Sequence, residues 1–262
     1  MLRKGDLTQG GITGTLLHFT LPMLVGSFLQ QCYNIADTLI VGQCIGAGAL
    51  AAVGSAYTLM VFLISVLLGL AMGSGTVFSL HYGAGNHVAL CRSIFSSFVL
   101  IGIVTLILNV AVFIWLDPIL RLLQVPQDIY GMMRSYLWII FCGIVFTFIY
   151  NFYASLLRAV GDSVTPLWFL AVSVVLNIAL DLFFILQLDW GIQGAAAATV
   201  LAQGVAALGI IIYTYRRRPE LRWHHEDMCF DRTCLKEIAS FSTLTCIQQS
   251  VMNLGILMVQ GL

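Results

Sequence analysis

The sequence predicts an all-α polytopic membrane protein, and three observations carry that reading. Of 262 residues, 60% are hydrophobic and 9% charged; ordinary soluble domains hold roughly 45–50% apolar and about 25% charged residues. The apolar residues gather in seven long runs, each sufficient for the ~20-residue helix that crosses a bilayer. Lys and Arg then fall ten times on one side of those runs and twice on the other. This composition excludes a soluble domain, a disordered chain and a small disulfide-stapled module. Twelve Lys+Arg balance twelve Asp+Glu, so no net charge points to nucleic acid, and none is expected as a partner.

The runs are Leu16–Val41, Leu50–Tyr82, Ser93–Leu116, Met133–Leu156, Val164–Leu186, Ile192–Tyr215 and Ile238–Leu262. Barrel strands would alternate apolar and polar over segments of about ten residues. These runs are longer and apolar all round, so they are helices. The first is too long for a signal-peptide core and lacks a small-residue cleavage pattern, so it is a retained span. Arg3, Lys4, Arg92, Arg158, Arg216, Arg217, Arg218, Arg222, Arg232 and Lys236 lie on one side of the membrane, and only Arg121 and Arg134 on the other. The basic side is cytoplasmic, so the N-terminus is expected inside, in a multi-pass protein whose first partner is the lipid bilayer. Arg216–Arg218 is a topogenic cluster.

Ten acids sit in loops or at helix ends. The other two, Asp37 and Asp181, lie within the first and fifth spans. A carboxylate in hydrocarbon costs about 2.5–3.5 kcal/mol on the lenient insertion scale. No Lys or Arg lies deep within a span to neutralise either one, Arg134 standing at the very edge of the fourth run. They must be protonated, bind a cation or face water, and each option describes a transport pathway better than packing. By helical rise Asp37 lies about 6 Å from the outer end of its span, and Asp181 and Thr199 about 10 Å from theirs. Asn177 and Asp181 are four residues apart and share a helix face, as do Ala195 and Thr199. The short turn near Trp190–Gly191 makes spans five and six antiparallel neighbours. A carboxylate, an amide oxygen and a hydroxyl then converge at one depth. Hard oxygen ligands suit Na+ or a hydrated proton and not a soft metal. Competing readings place the acids at the interface, make Asn177 interhelical glue, and let Thr199 bond back to its own helix.

Pro22 removes a backbone hydrogen bond in the first span and favours a kink there. Gly69, Gly73 and Gly75, and the run Gly194 to Ala198, allow close helix approach. Seven cysteines show no paired framework. His224, His225, Cys229 and Cys234 lack the spacing of a standard zinc finger, so no transition metal and no cofactor is expected beyond a coupling ion. The chain has no phosphate loop, Ser/His/Asp arrangement or two-Cys redox motif, which argues against an enzyme.

Four segments carry a resemblance to a known family. "ADTLIVGQCIGAGALAAVG" from Ala36, "LLRAVGDSVTP" from Leu156, "NIALD" from Asn177 and "WGIQGAAAATVLAQ" from Trp190 resemble multidrug and toxic compound extrusion (MATE) transporters. The resemblance implies twelve helices in two six-helix lobes around a central cavity. It implies export of organic, often cationic or amphiphilic compounds across a bacterial cytoplasmic membrane by a cation-coupled antiporter driven by Na+ or H+. By position, the family's N-lobe cation site matches Asp37, Asn177, Asp181 and Thr199, with the carbonyl of Ala195, and its helix-bending proline matches Pro22. Asn151 resembles a polar residue near the N-lobe cavity. Gln30, Gln31 and Asn34 are further cavity-lining candidates, echoed by Gln248, Gln249 and Asn253 in the seventh span. Gln248–Gln249–Ser250 stands where one branch of the family carries a glutamate, and resembles the DNA-damage-inducible F branch.

On this reading residues 1–215 form a six-helix N-terminal lobe, 216–237 a cytoplasmic interlobe linker, and 238–262 the seventh helix. The second lobe lies outside the sequence, so a fragment or truncated product is expected. Three rival functions are a lipid-linked saccharide flippase of the same superfold, a non-transporting membrane fragment and a passive channel.

Overall fold

A computed structural model describes residues 12–222 and 232–260. Within them the chain is helical, with no strand among the described residues. The helices are α1 (Ile12–Cys44), α2 (Ala47–Gly83), α3 (His87–Leu122), α4 (Gln127–Cys142), α5 (Ile144–Ala159), α6 (Val164–Leu182), α7 (Gly191–Arg217) and α8 (Arg232–Gln260). A π-helical turn at Phe183–Gln187 extends α6. Helices α2, α3, α6 with its π turn, and α7 are long and apolar enough to cross a membrane, and α4 with α5 makes a fifth, bent span. Helices α1 and α8 have the length, 33 and 29 residues, but carry more polar side chains.

The helices overrun the apolar runs at most ends. Backbone hydrogen bonds continue for a turn or so where side chains already turn polar, as at Asn86, whose side chain accepts from Ala89 N at 3.1 Å. The fourth span departs from expectation. It is two helices bent by 47° at Gly143, not one rod. A methyl group at Gly143 would stand 2.5 Å from Val200 Cγ2 of α7, so only glycine admits that close approach. Pro22 lies inside the single helix α1, which continues on both sides of it.

The core is built where α2, α3, α4 and α5 meet. Phe152 is fully buried between Phe78 and Phe98, with ring centroids 5.9 and 5.3 Å away. Ser155 donates to the Ala71 carbonyl at 2.8 Å across the α2–α5 contact, where Gly75 leaves room for its hydroxyl. Exposed apolar side chains such as Leu106, Ile107, Trp168 and Val175 form the outer faces, as lipid-facing helices require.

The loops meet the motifs read from sequence. Gly161, at φ +88°, makes the turn that glycine alone adopts freely. It delivers Asp162 to the start of α6, where the carboxylate accepts from Thr165 N at 3.0 Å and pairs with Arg218 at 3.3 Å. At the opposite end Asp117 pairs with Arg134 at 2.7 Å. Helix α8 lies along α2: Ser242 donates to Leu70 O and the Cys246 thiol approaches Val66 O. The start of α8 buries Cys234 and Ile238 against Val77. His224, His225 and Cys229 lie outside the described residues, as do Arg3 and Lys4. Cys32, Cys44, Cys142, Cys234 and Cys246 are free thiols.

Candidate functional site

The spacing that placed acids on helix faces now determines a site. Asp181 is fully buried and Asp37 is 8% exposed, so neither is an interfacial side chain. Their carboxyls, from α1 and α6, are near enough to interact with one another. One oxygen of each, Asp37 Oδ1 and Asp181 Oδ1, is buried without a hydrogen-bond partner. Two carboxylates this close cannot both carry an uncompensated charge in a dry site; a proton or a cation must sit between them. No His, Cys or further carboxylate joins them, and no metal-type cluster of such residues occurs among the described residues.

Asn177 and Thr199 close one side. With its NH2 facing the acid, Asn177 donates to Asp181 Oδ2 at 3.0 Å, and its oxygen accepts from Thr199 N at 3.2 Å and Thr199 Oγ1 at 3.3 Å. The Tyr33 hydroxyl lies 3.3 Å from Thr199 Oγ1. Thr199 therefore does not bond back to its own helix, whereas Thr38, Thr105 and Thr214 do, to the carbonyls four residues earlier. Asn177 is glue of a particular kind, since one end of its amide orients a carboxylate. Ala195 is fully buried one turn before Thr199 on α7. Tyr136 of α4 is buried within electrostatic range of both carboxyls and Tyr33.

A cavity of about 910 Å³ opens beside this cluster. Its walls come from α1, α2, α4, α5, α6, α7 and α8, and include Asp37, Asn177 and Thr199. Gln30, Gln31, Asn34 and Asn151 line it. Asp181 and Ala195 do not reach the wall; Asp181 lies behind it, linked through Asn177. The sequence reading missed Tyr33, Tyr136, Thr147 and Gln203. Two of these had a signal: Tyr33 is one helical turn before Asp37 and Gln203 one turn after Thr199, on the same faces. Thr147 hydrogen-bonds Gln203, joining α5 to α7 at the wall. No Lys, Arg or His lines the cavity among the described residues.

Buried carboxyls beside a largely apolar cavity with polar groups in its wall, in a bundle of membrane-length helices, fit a membrane protein of the transporter class. The MatE family model matches residues 22–183, and the chain belongs to that family, the MATE transporters. It is similar to the probable multidrug resistance protein YpnP of Bacillus subtilis, 36% identical over 83% of this chain and 49% of that one. It is also similar to the multidrug export protein MepA of Staphylococcus saprophyticus, at 31% over 77% of this chain and 45% of that one. The chain thus spans about half the length of the curated relatives it matches. Among solved structures, a MATE family transporter in an outward-facing conformation superimposes with a TM-score of 0.91, at 24% identity, over 98% of this chain and 57% of that one. That likeness establishes the fold.

Proposed function

We propose that this chain is the cation-coupling half of a two-lobe drug exporter, an antiporter driven by Na+ or H+. The observation that carries the reading is the buried Asp37–Asp181 pair, each with an orphaned oxygen, set against the cavity wall. Entry of a cation or proton between the carboxyls removes negative charge from that wall, and an organic cation bound in the cavity loses its counter-charge. The two ligands thus compete through one electrostatic site, the differential affinity that an exchange cycle needs. Helix α1, which carries Asp37 and the wall residues Gln30, Gln31 and Asn34, moves or bends near Pro22 in response. Residues 1–215 form the first lobe, 216–237 the linker, and the seventh span, 238–262, begins the second lobe. The membrane is the bacterial cytoplasmic membrane, with the N-terminus inside.

A pyrophosphate-linked lipid would call for cationic wall residues, and the described wall has none, so drug export fits the cavity better than a flippase. The test is gradient-driven ethidium efflux from vesicles carrying the two-lobe protein. The Asp37→Asn, Asp181→Asn double variant is expected to lose efflux at least tenfold, since a charge-assisted ligand set is replaced by neutral amides (about 1.5–3 kcal/mol per bond). Undiminished efflux by that variant contradicts the assignment. Residues 1–262 alone are expected not to lower ethidium retention.

A further inference from the structure

The segment that leaves α7 does not run free. Pro219 forces Arg218 out of the helical conformation, so α7 ends at Arg217 and a single 3-10 turn follows at Pro219–Leu221. Three anchors hold this turn. Leu221 is 3% exposed and belongs to the main hydrophobic core. The Arg222 guanidinium turns back and donates to the Tyr215 carbonyl at 2.7 Å, which satisfies an end group of α7. Arg218 reaches Asp162 at 3.3 Å and Glu220 at 3.4 Å. Asp162 also accepts from Thr165 N and Oγ1, at 3.0 and 2.8 Å, so one carboxylate both starts α6 and receives Arg218. Near the start of α3, the Cys91 thiol donates toward the carbonyls of Glu220 and Arg222, 3.9 and 3.6 Å away. The ends of α3, α6 and α7 are thereby tied together by five residues, Arg218–Arg222, that sequence position alone assigns to the interlobe linker.

We propose that Arg218–Arg222 is a strap that moves with the first lobe, latched by Arg218 on Asp162 and seated by Leu221, so that the hinge between the lobes begins after Arg222. A linker hinged directly at the end of α7 would pull on that helix alone. The strap passes the load to α3 and α6 as well. The docking of the strap stands on its own contacts, and the placing of the hinge rests on the two-lobe exporter reading.

Cys91 is 8% exposed with the strap against its thiol, so its modification reports undocking. The test is the rate at which N-ethylmaleimide modifies Cys91, followed by peptide mass spectrometry on the chain in lipid nanodiscs, with Cys246 in the α2–α8 contact as internal reference. Arg218→Gln, which removes the charged latch, and Leu221→Ala, which empties the seat, are each expected to raise the Cys91 rate about tenfold and to leave the Cys246 rate unchanged. Arg218→Lys, which keeps a positive charge beside Asp162, is expected to raise it less. An unmoved Cys91 rate in both Arg218→Gln and Leu221→Ala, or a rise that Cys246 shares, overturns the strap. In vesicles carrying the two-lobe protein, the Cys91 rate is expected to be the same at rest and during cation-driven ethidium efflux, because the strap rides with the first lobe. A rate that rises during efflux puts the hinge within the strap and overturns its placing. Absence of efflux contradicts the exporter reading and takes the hinge with it, whereas the docking is decided by the nanodisc rates alone.

Discussion

Gly73→Leu is expected to unseat α8 from α2. A Cβ at Gly73 would press on the backbone of Ser242, whose nitrogen would stand 2.6 Å away, and one at Gly69 would stand 2.6 Å from Cys246 Cα. These contacts are with main chain, so no side-chain rotation relieves them. The glycines are four residues apart on α2, and Ser242 and Cys246 four apart on α8, which lets two ridges of small residues interlock. A leucine forces the helices apart, with an overpacking cost of about 1–3 kcal/mol or more. It also breaks the Ser242–Leu70 hydrogen bond and weakens the His81–Glu237 pair, 3.5 Å apart at the same seam. Thermal unfolding in detergent checks this, with Gly83→Leu as control, because a side chain there meets open space. Equal stability of the Gly73 and Gly83 variants contradicts the described seam.

Asn177→Leu is expected to be the most damaging single change at the site after the acids themselves. Asn177 is the amide that joins Asp181 to Thr199, and among the described residues Asp181 has no other hydrogen-bond donor. Removing it leaves a fully buried carboxyl unsatisfied, at about 1–3 kcal/mol and more if the group is charged. It also frees the Thr199 hydroxyl to bond back along α7. Loss of a partner that orients an ion ligand typically lowers affinity about 10–100-fold. The coupling-ion dependence of efflux should therefore move to correspondingly higher ion concentration, while Asn151→Leu, which lies on the wall away from the acids, should leave it unchanged. A wild-type ion dependence in Asn177→Leu contradicts the role given to the amide.

The site was more legible in the sequence than the path of the chain around it. Asp37 and Asp181 announced themselves because a charge in an apolar run has no cheap explanation, and the four-residue spacings of Asn177–Asp181 and Ala195–Thr199 fixed which faces they shared. The tyrosines did not, because a phenol within an apolar helix reads as core packing until its hydroxyl is seen to have a partner, as Tyr33 has in Thr199. The Gly143 break was hidden for a different reason. An isolated glycine in a helix costs only about 1 kcal/mol, and what decides whether it bends is a neighbour, here Val200, that sequence periodicity cannot place. Pro22 shows the converse: the strongest local signal for a break lies in a helix that continues through it.

The claim on which the rest depends is that the two carboxyls act as one site. A double-mutant cycle on cation-driven efflux tests it directly, comparing Asp37→Asn, Asp181→Asn and the pair together. Groups that work as a unit are strongly non-additive, so each single change should cost nearly as much as both. Single losses that multiply to give the loss of the double variant would mean two independent acids, and would contradict the account.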